Sequence, residues 1–285
     1  MHYTNLHNLP QPLFDALTFD DYEMGDADIS VTGLIKPPRI RILEKRHDDE
    51  IVQDCTERLW AVLGSIGHKI IERHEPDRGF SEERLYLDIG GWKVGAKPDL
   101  WHEPHTIQDY KYTTIWSYIF GLKDEWIQQL NMYAPFYRES GFEVKQLDIV
   151  AIFRDHQISK QKMDPNYPCQ VEVMKVPLWR DEEQVAFLYK RTNAHQMAEG
   201  FEDDKLPLCT PEERWERPTV YAVKKIGNKR STKNFESEEE AVKFLKEKGD
   251  KFEMETRVGE SVRCNSYCNV KNFCSQFKEI NHENI

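Results

Sequence analysis

The chain has 285 residues, of which 39% are hydrophobic and 31% charged, and its formal net charge is -11 at pH 7. This length allows one large domain or one domain with a small addition. The acidic balance excludes a protein that coats nucleic acid through bulk positive charge. No apolar run approaches the roughly 20 residues that span a bilayer, and the first residues lack the pattern of a secretory signal. We therefore expect a cytoplasmic protein with no membrane partner.

The predicted elements, in chain order, begin with an N-terminal arm over residues 1–28, where no clear period is present. Residues 29–43 are predicted to form a short turn region. A long helix is predicted over residues 48–74, because apolar residues recur there every three or four positions. Its expected buried face consists of Ile51, Cys55, Leu59, Val62, Ile66 and Ile70. The next three predicted elements are strands, over residues 84–90, 92–101 and 106–113.

The second half of the predicted core continues the alternation of helices and strands. A helix is predicted over residues 124–139, strands over 146–155 and 170–179, and a further helix over 181–199. This alternation is typical of an α/β fold with a mixed central sheet flanked by helices. We assign residues 29–205 to this core.

The character of the chain changes after the core. A hairpin is predicted to turn at Gly227-Asn228, followed by a short helix that begins near Ser237 and by one further strand. Three cysteines then lie close together near the end of the sequence. Residues 206–285 are therefore expected to form a small α+β lobe clamped by its cysteines.

Two carboxylates and a lysine form the first pattern with chemical content. Asp99 lies in one predicted strand, and Asp109 and Lys111 lie in the next, where alternate residues share a face. If these strands pair as a hairpin, Asp99 stands beside Asp109, and adjacent carboxylates repel unless a cation lies between them. Hard oxygen ligands favour Mg²⁺ or Mn²⁺. Such a cation activates water at a phosphodiester, and Lys111 can position that water, deprotonate it or stabilise the transition state.

A purely structural interpretation of this pattern stays open. In it, the two aspartates are acids at strand ends and the lysine is a solvated residue of an edge strand. His68, on the preceding helix, is either a third metal ligand or a polar boundary residue. Gln129 and Tyr133 lie four residues apart on the following helix and share a face. They either reach phosphate groups or serve solvation and packing.

Cysteines form the second pattern. Six are present: Cys55, Cys169, Cys209, Cys264, Cys268 and Cys274. The last three follow a C-x3-C-x5-C spacing, and in a cytoplasmic protein such clustering indicates metal or cluster ligation rather than disulfides. Four thiolates can hold a [4Fe–4S] cluster or a structural Zn²⁺, and the spacing alone does not decide between them.

The residues around the carboxylates resemble the RecB-type nucleases of the PD-(D/E)xK superfamily. The family order is a helix histidine, a G-x-x-x-D strand, a D/E-x-K strand and a Q-x-x-x-Y helix. The matching positions are His68, Gly95 to Asp99, Asp109 to Lys111, and Gln129 to Tyr133. The match spans roughly residues 60–135, with all four features in the family's order.

The resemblance implies a restriction-endonuclease-like core and a Mg²⁺- or Mn²⁺-dependent deoxyribonuclease that acts as an exonuclease on DNA ends or single strands. The implied metal ligands are His68, Asp99, Asp109 and the carbonyl group of Tyr110. The implied catalytic residues are Asp99, Asp109, Lys111, Gln129 and Tyr133. The compact form without a helicase is similar to stand-alone nucleases of phages and of CRISPR loci. That similarity implies recombination, replication or CRISPR-adaptation proteins as partners, and the host cytoplasm as the location if the chain is phage-encoded.

The cysteines extend the resemblance to AddB-type and CRISPR-adaptation exonucleases, which carry an iron–sulfur cluster on one early and three late cysteines. The early cysteine of these families precedes a proline, but the comparable segment here, Lys36 to Arg39, has no cysteine. Cys209 is our preferred fourth ligand, because Cys55 lies on the expected buried helix face. The resemblance thus implies a [4Fe–4S] cluster, with structural Zn²⁺ as the alternative, on Cys209, Cys264, Cys268 and Cys274.

The predicted hairpin carries a local run of positive charge in an acidic chain. Its residues Lys224, Lys225, Lys229 and Arg230 either follow a DNA backbone or belong to a solvated hairpin, and Trp215 and Tyr221 lie near them for stacking on bases. Two other functions stay open. One is a catalytically silent nucleic-acid-binding or assembly protein on the same fold. The other is a redox enzyme that uses the cysteines, which the absence of a C-x-x-C pair disfavours.

Overall fold

The structure is a computed structural model that describes residues 1–19, 23–71, 73 and 77–282. It divides into two compact units, Met1–Arg41 with Asp48–Phe201, and Ile42–His47 with Glu202–Ile285. Among the helices of the described residues, none has both the length and the apolar character that a membrane crossing requires.

The first unit is a mixed α/β unit. Its strands are β1 (His2–Thr4), β2 (Ile29–Ser30), β3 (Val52–Asp54), β4 (Gly79–Ser81), β5 (Leu85–Ile89), β6 (Trp92–Ala96), β7 (Leu100–His102), β8 (Thr106–Thr113), β9 (Gln146–Phe153) and β10 (Val171–Val176). Its helices are α1 (Gln11–Thr18), α2 (Val31–Ile35), α3 (Pro38–Arg46), α4 (Leu59–Ile71), α5 (Trp116–Ile119), α6 (Asp124–Glu139), α7 (Ile158–Met163) and α8 (Asp181–Glu199). Helix α3 continues into the second unit after Arg41.

A five-stranded sheet in the order β10-β9-β8-β7-β4 is the centre of this unit. Strands β8 and β9 run parallel, and the other neighbours are antiparallel. A second sheet has the order β2-β6-β5, with β5 and β6 joined as a hairpin through Gly90 and Gly91. Both glycines have positive φ, a conformation that two-residue hairpin turns require and that glycine adopts without a steric penalty. The predicted fold class, a mixed sheet flanked by helices, is confirmed.

Helix α6 is the central helix of the core. It connects the parallel strands β8 and β9, as a crossover between parallel strands requires, and it packs on α2, α8 and the strands of both sheets. Its residues from Gln129 to Tyr137 are all buried, with Leu130, Met132 and Ala134 fully enclosed. A helix buried around its circumference is held in one position, so side chains that point from it into a site are fixed in space.

The predicted helix over residues 48–74 is wrong at its start, since α4 begins only at Leu59. A 3₁₀ turn, strand β3 and a second 3₁₀ turn precede it. The Asp54 carboxylate accepts hydrogen bonds from the N–H and hydroxyl groups of Thr56, and β3 pairs with β1 of the predicted arm. Leu59 and Ile66, expected to be buried, are 37% and 49% exposed. Residues 72 and 74 of the prediction and the side chain of Ile70 lie outside the described residues.

The predicted strand over residues 92–101 is in fact two strands that belong to different sheets. Strand β6 ends at Ala96 and β7 begins at Leu100, so Asp99 lies in the break between them and not within a strand. Pro98 has no N–H group for a strand ladder, which accounts for the break. The predicted turn region over residues 29–43 also has more order than expected, because it contains β2, α2 and most of α3.

The second unit is an α+β unit. Its strands are β11 (Glu216–Arg217), β12 (Val220–Lys225), β13 (Lys233–Phe235), β14 (Phe252–Arg257) and β15 (Glu260–Ser261), and its helices are α9 (Glu238–Lys248), α10 (Val262–Ser266) and α11 (Ser275–His282). The predicted hairpin is confirmed as the antiparallel pair β12 and β13, and β14 pairs on the other side of β12. Helix α9 begins after Ser237, as predicted, and packs on this sheet.

Candidate active site

Asp109 and Lys111 lie side by side on β8, as the alternation of side chains along a strand predicts. The Asp109 side chain is 2% exposed, and the Lys111 Nζ lies 2.6 Å from its Oδ2 atom. The Lys111 ammonium is the charge partner of this buried carboxylate. Burial raises the pKa of Asp109 to about 6, the Lys111 ammonium opposes that rise, and the charge of Asp99 adds to it.

Asp99 stands beside this pair because β7 and β8 form the predicted hairpin, with Leu100 opposite Gln108. Its Oδ2 atom accepts a hydrogen bond of 2.6 Å from the backbone N–H of Tyr110, which fixes the carboxylate at the break between β6 and β7. Its Oδ1 atom lies 3.2 Å from the Nδ1 atom of His68 on α4. That hydrogen bond, with the charges of the nearby carboxylates, raises the pKa of His68 against the opposing effect of burial.

Glu82 is a further member of the site that the sequence interpretation missed. Its Oε1 atom lies 3.8 Å from His68 Nδ1, and its carboxylate also pairs with Lys97. The pairing of β4 with β7 brings Glu82 opposite Asp99, whose carbonyl oxygen accepts a hydrogen bond of 3.1 Å from the Glu82 N–H. No local pattern marks this glutamate in the sequence, because the contact depends on a short strand that carries little periodic signal.

These groups fit a divalent cation. His68, Glu82 and Asp99 each offer one possible ligand atom, and these three atoms all lie within 4.8 Å of one another. Asp109 adds a buried carboxylate, and a buried negative charge is costly unless cations or hydrogen-bond donors compensate it. Carboxylate oxygens suit Mg²⁺ and Mn²⁺, and imidazole suits first-row transition metals. A cation bound here would take the place of the proton between the His68 Nδ1 and Asp99 Oδ1 atoms.

A chain of side-chain hydrogen bonds on α6 holds Lys111 in place. The Lys111 ammonium donates to the Gln129 Oε1 atom at 3.0 Å, and the Gln129 Nε2 atom donates to the Tyr133 hydroxyl at 2.8 Å. Burial raises the pKa of Tyr133 strongly, so this tyrosine stays protonated. The structure therefore brings Gln129 and Tyr133 to the site as predicted, and both act on Lys111 rather than facing open solvent.

The site lies in a cleft of about 720 Å³ that opens between α4, α2 and the N-terminal segment. The lining of this cleft carries charges of both signs. Its cations are Arg58, Lys69, Arg84, Lys97 and Lys111, and its carboxylates are Glu23, Glu82, Asp99 and Asp109. Lys97 pairs with Glu82 and Lys111 pairs with Asp109. The lining cations can contact an anionic ligand, and the carboxylates suit a divalent cation.

Helix α4 is positioned by a close approach to β8 at one glycine. A Cβ atom on Gly67 would lie about 2.1 Å from the Tyr112 ring and hydroxyl, whereas a Cβ atom on Gly64 would meet nothing within 4 Å. The glycine at position 67 therefore allows the helix to lie against the strand. His68, the next residue, is thereby brought within reach of Asp99.

The four cysteines of the predicted cluster come together in the second unit. Burial raises the pKa of the Cys209 thiol to about 12, and the charges of Glu213 and of the three other cysteines add to the rise. Burial likewise raises the pKa of Cys268 to about 11, with additions from Cys264 and Cys274. These mutual effects require that the four thiols be neighbours.

The Cys209 segment is held rigidly. Gln276 contacts its backbone on both sides, with its Oε1 atom accepting from the Cys209 N–H and its Nε2 atom donating to the Cys209 carbonyl, both at 2.9 Å. Arg214 donates to the same carbonyl. Cys55 is buried in the first unit, and Cys169 is exposed in that unit.

One of the four cations of the predicted basic hairpin is already paired with carboxylates of the protein. The Lys224 Nζ atom lies 2.6 Å from a Glu255 carboxylate oxygen and 3.6 Å from one of Glu253, both on the adjacent strand β14. Lys225, Lys229 and Arg230 are exposed. A role for the hairpin in nucleic-acid binding stays a prediction.

No protein-family model and no curated protein matches the sequence. Among solved structures, the chain is similar to the crystal structure of SSO0001, with 17% identity and a TM-score of 0.44 over 65% of this chain and 81% of that one. It is also similar to an alkaline exonuclease from Laribacter hongkongensis, with 19% identity and a TM-score of 0.29 over 48% of this chain and 68% of that one. Both likenesses are remote, so a function can be assigned only from the residues of the site itself.

Proposed function

We propose that the chain is a metal-dependent deoxyribonuclease of the RecB type. The observation that carries the proposal is the buried Asp109 and Lys111 pair on one face of β8, with Asp99 and His68 beside it, in a cleft lined by both cations and carboxylates. The purely structural interpretation does not account for this arrangement. Two carboxylates that lie side by side and away from water repel each other, and this is unfavourable unless cations compensate their charge.

His68, Asp99, Asp109 and the Tyr110 carbonyl would hold Mg²⁺ or Mn²⁺, with Glu82 as a further acidic ligand or neighbour. The bound cation would lower the pKa of a water molecule and neutralise charge that develops on the phosphate. Lys111 would orient the attacking water or stabilise the transition state. Its hydrogen bond to Gln129, which Tyr133 supports, keeps the ammonium directed at the carboxylates.

Three cations of the cleft lining, Arg58, Lys69 and Arg84, support DNA as the substrate because they can contact phosphates. The net charge of -11 opposes the binding of DNA elsewhere on the surface. Exonuclease action on ends or single strands is the mode that the family resemblance favours, and we include it in the proposal. The exposed residues Lys225, Lys229 and Arg230 of the hairpin are proposed as secondary phosphate contacts.

We also propose that Cys209, Cys264, Cys268 and Cys274 hold a [4Fe–4S] cluster. The family resemblance favours the cluster over the alternative, a tetrahedral Zn²⁺ site on the same four thiolates. Absorption near 400 nm together with iron analysis of the purified protein tests this assignment.

The proposed activity is tested by digestion of end-labelled single- and double-stranded DNA with Mn²⁺, Mg²⁺ or EDTA. We expect metal-dependent cutting that falls by about a thousand-fold in Asp109→Asn and in Lys111→Met, because each change removes charge at the reacting phosphate. Asp148→Asn is the matched control. Asp148 is equally buried and pairs with Lys175 at 3.0 Å, but it lies on β9 and does not line the cleft.

Retained cutting in Asp109→Asn, or equal loss in Asp148→Asn, would contradict the assignment of the site. If the folded, metal-supplemented wild type cuts neither kind of DNA, the chain is instead a nucleic-acid-binding protein on this fold. The product ladder from the labelled end gives the polarity of cutting.

A further inference from the structure

An exposed group of aromatic rings lies at the C-terminal ends of the parallel strands β8 and β9. Trp60, on α4, is 54% exposed, and Trp116 and Phe120, which follow β8, are 57% and 81% exposed. The Trp116 and Phe120 rings stack on each other with centroids 5.5 Å apart and planes 20° from parallel. Large exposed apolar side chains that cluster are uncommon on a protein surface unless they bind something.

This aromatic group carries positive charge. The Arg154 guanidinium lies over the Trp60 ring, 3.9 Å from its centroid. The backbone N–H of Arg154 donates to the Thr113 carbonyl at the end of β8, so the arginine is placed beside the segment that leads to Trp116. That segment is itself fixed, because the Ile115 N–H donates to the Asp155 carboxylate at 2.8 Å. We call Trp60, Trp116, Phe120 and Arg154 together the aromatic surface.

Lys123 is a further cation at the start of α6, the helix whose Gln129 contacts Lys111 in the candidate active site. Its ammonium lies 4.8 Å from the centroid of the Trp126 ring, at the start of α6. Burial lowers the pKa of Lys123, and the positive charges of Arg154 and Lys111 lower it further against the opposing effect of Glu125. Lys123 follows the Trp116 to Phe120 segment by three residues, and the Arg154 backbone contacts Thr113 just before that segment. A basic residue thus lies at each end of the segment.

We propose that the aromatic surface binds the unpaired bases of a DNA strand whose phosphates follow Lys123 and Arg154 towards the active site. Exposed aromatic faces next to cations are the combination that binds single strands without sequence preference, because every base has a flat face to stack. Paired bases in a duplex are already stacked and do not offer their faces to a side chain. The inference rests on the proposed nuclease function and specifies its substrate as a strand with an unpaired segment.

Fluorescence anisotropy with a labelled oligothymidylate of about 15 nucleotides in EDTA tests the proposal without catalysis. We expect Trp60→Ala, Trp116→Ala and Arg154→Gln, each in the full chain, to weaken binding by about ten-fold. Trp60→Phe is expected to restore much of the affinity, because it retains a stacking face. Tyr189→Ala and Lys190→Gln, an exposed aromatic residue and an exposed cation on α8, are the matched controls and should bind as wild type does.

The same variants are then compared on a blunt duplex of equal length. Loss of affinity for the single strand but not for the duplex supports the proposal, whereas unchanged single-strand binding in all three variants overturns it. Equal losses for both kinds of DNA also overturn it, because they indicate phosphate contact alone. Circular dichroism of each variant separates loss of binding from loss of fold.

Failure of this inference is distinguishable from failure of the proposed activity. If wild type cuts DNA in an Asp109-dependent way but binds the single strand independently of Trp60, the nuclease assignment stands and the aromatic surface is excluded. If binding depends on Trp60 but no cutting occurs with any metal, the surface stands and the nuclease assignment fails.

Discussion

The chain contains two groups of candidate metal ligands, and they differ in how the fold holds them. In the first unit, Asp99 and Asp109 are positioned by strand pairing and by backbone hydrogen bonds that exist without any cation. In the second unit, Cys209 is buried, Cys264 and Cys268 are half-buried, and the pKa values of all three thiols are raised by burial. From this difference we expect the first unit to fold as a scaffold to which the proposed cation is added, and the second unit to depend on its proposed metal for stability.

The largest expected effect is therefore on the second unit. Cys268→Ser should remove the bound metal and destabilise this unit by on the order of 5 kcal/mol or more, because the free energy of binding at a thiolate site is also free energy of folding. Metal analysis and urea unfolding measure the change. Cys169→Ser is the control, since Cys169 is exposed and lies in the first unit. Full metal content and unchanged stability in Cys268→Ser would contradict the expectation that the second unit depends on a metal for its stability.

The scaffold of the first unit contains a buried histidine whose titration should be visible as a pH dependence of stability. His195 is fully buried on α8. Its Nδ1 atom accepts from the Arg41 Nε–H at 2.8 Å, and its Nε2–H faces the Leu34 carbonyl. Burial, and then the charges of Arg41 and Arg191, lower its pKa from 6.5 to about 4. A proton on Nδ1 would meet the arginine donor, so the ring is neutral in the folded state.

Because the unfolded chain binds this proton more tightly, the stabilisation is complete above pH 6.5 and is lost as the pH falls towards 4. A shift of this size corresponds to about 3 kcal/mol. His195→Gln retains one donor and one acceptor, and it should lower the free energy of unfolding at pH 7. Because glutamine does not titrate, the loss of stability between pH 6.5 and pH 4 should be smaller in this variant. Urea midpoints across this range measure the slope, and an unchanged slope in the variant would exclude His195 as its source.

Substitution of Glu82 tests whether this residue belongs to the proposed metal site of the first unit. Glu82→Gln should weaken Mn²⁺ binding by about 10- to 100-fold, the range for a ligand or a residue that orients one. Glu83→Gln is the control, because this neighbour is exposed and does not line the cleft. Calorimetric titration with Mn²⁺ gives both affinities. Equal affinities in the two variants would show that Glu82 serves only to pair Lys97.

Much of the first site could be predicted because its signals are local. Asp109 and Lys111 share a face by the period of a strand, and Gln129 and Tyr133 share one by the period of a helix. Their long, regular elements, β8 and α6, were predicted to within a residue of their observed bounds. Four such features in a fixed order predicted the cluster that the structure brings together.

The parts that could not be predicted depend on contacts between distant or short segments. Glu82 reaches the site through β4, a strand of only three residues. The apolar stripe on α4 predicted a buried face, but Ile66 lines the cleft and Trp60 is exposed beside Arg154. Periodicity identifies an apolar face, but it does not distinguish a face that packs on a core from one that faces a ligand.

The smallest and most specific prediction concerns the approach of α4 to β8. Gly67→Ala and Gly64→Ala make the same chemical change on one helix, and each should favour the helix by roughly 1 kcal/mol. Only at position 67 does the new Cβ atom meet the Tyr112 ring, so there the helix or the ring must move. We expect Gly64→Ala to raise the melting temperature with full activity. Gly67→Ala should lose activity by several-fold, because His68 shifts away from Asp99. If the two variants cut DNA equally well, the close packing of α4 on β8 is not what positions His68, and the hydrogen bond to Asp99 alone holds it.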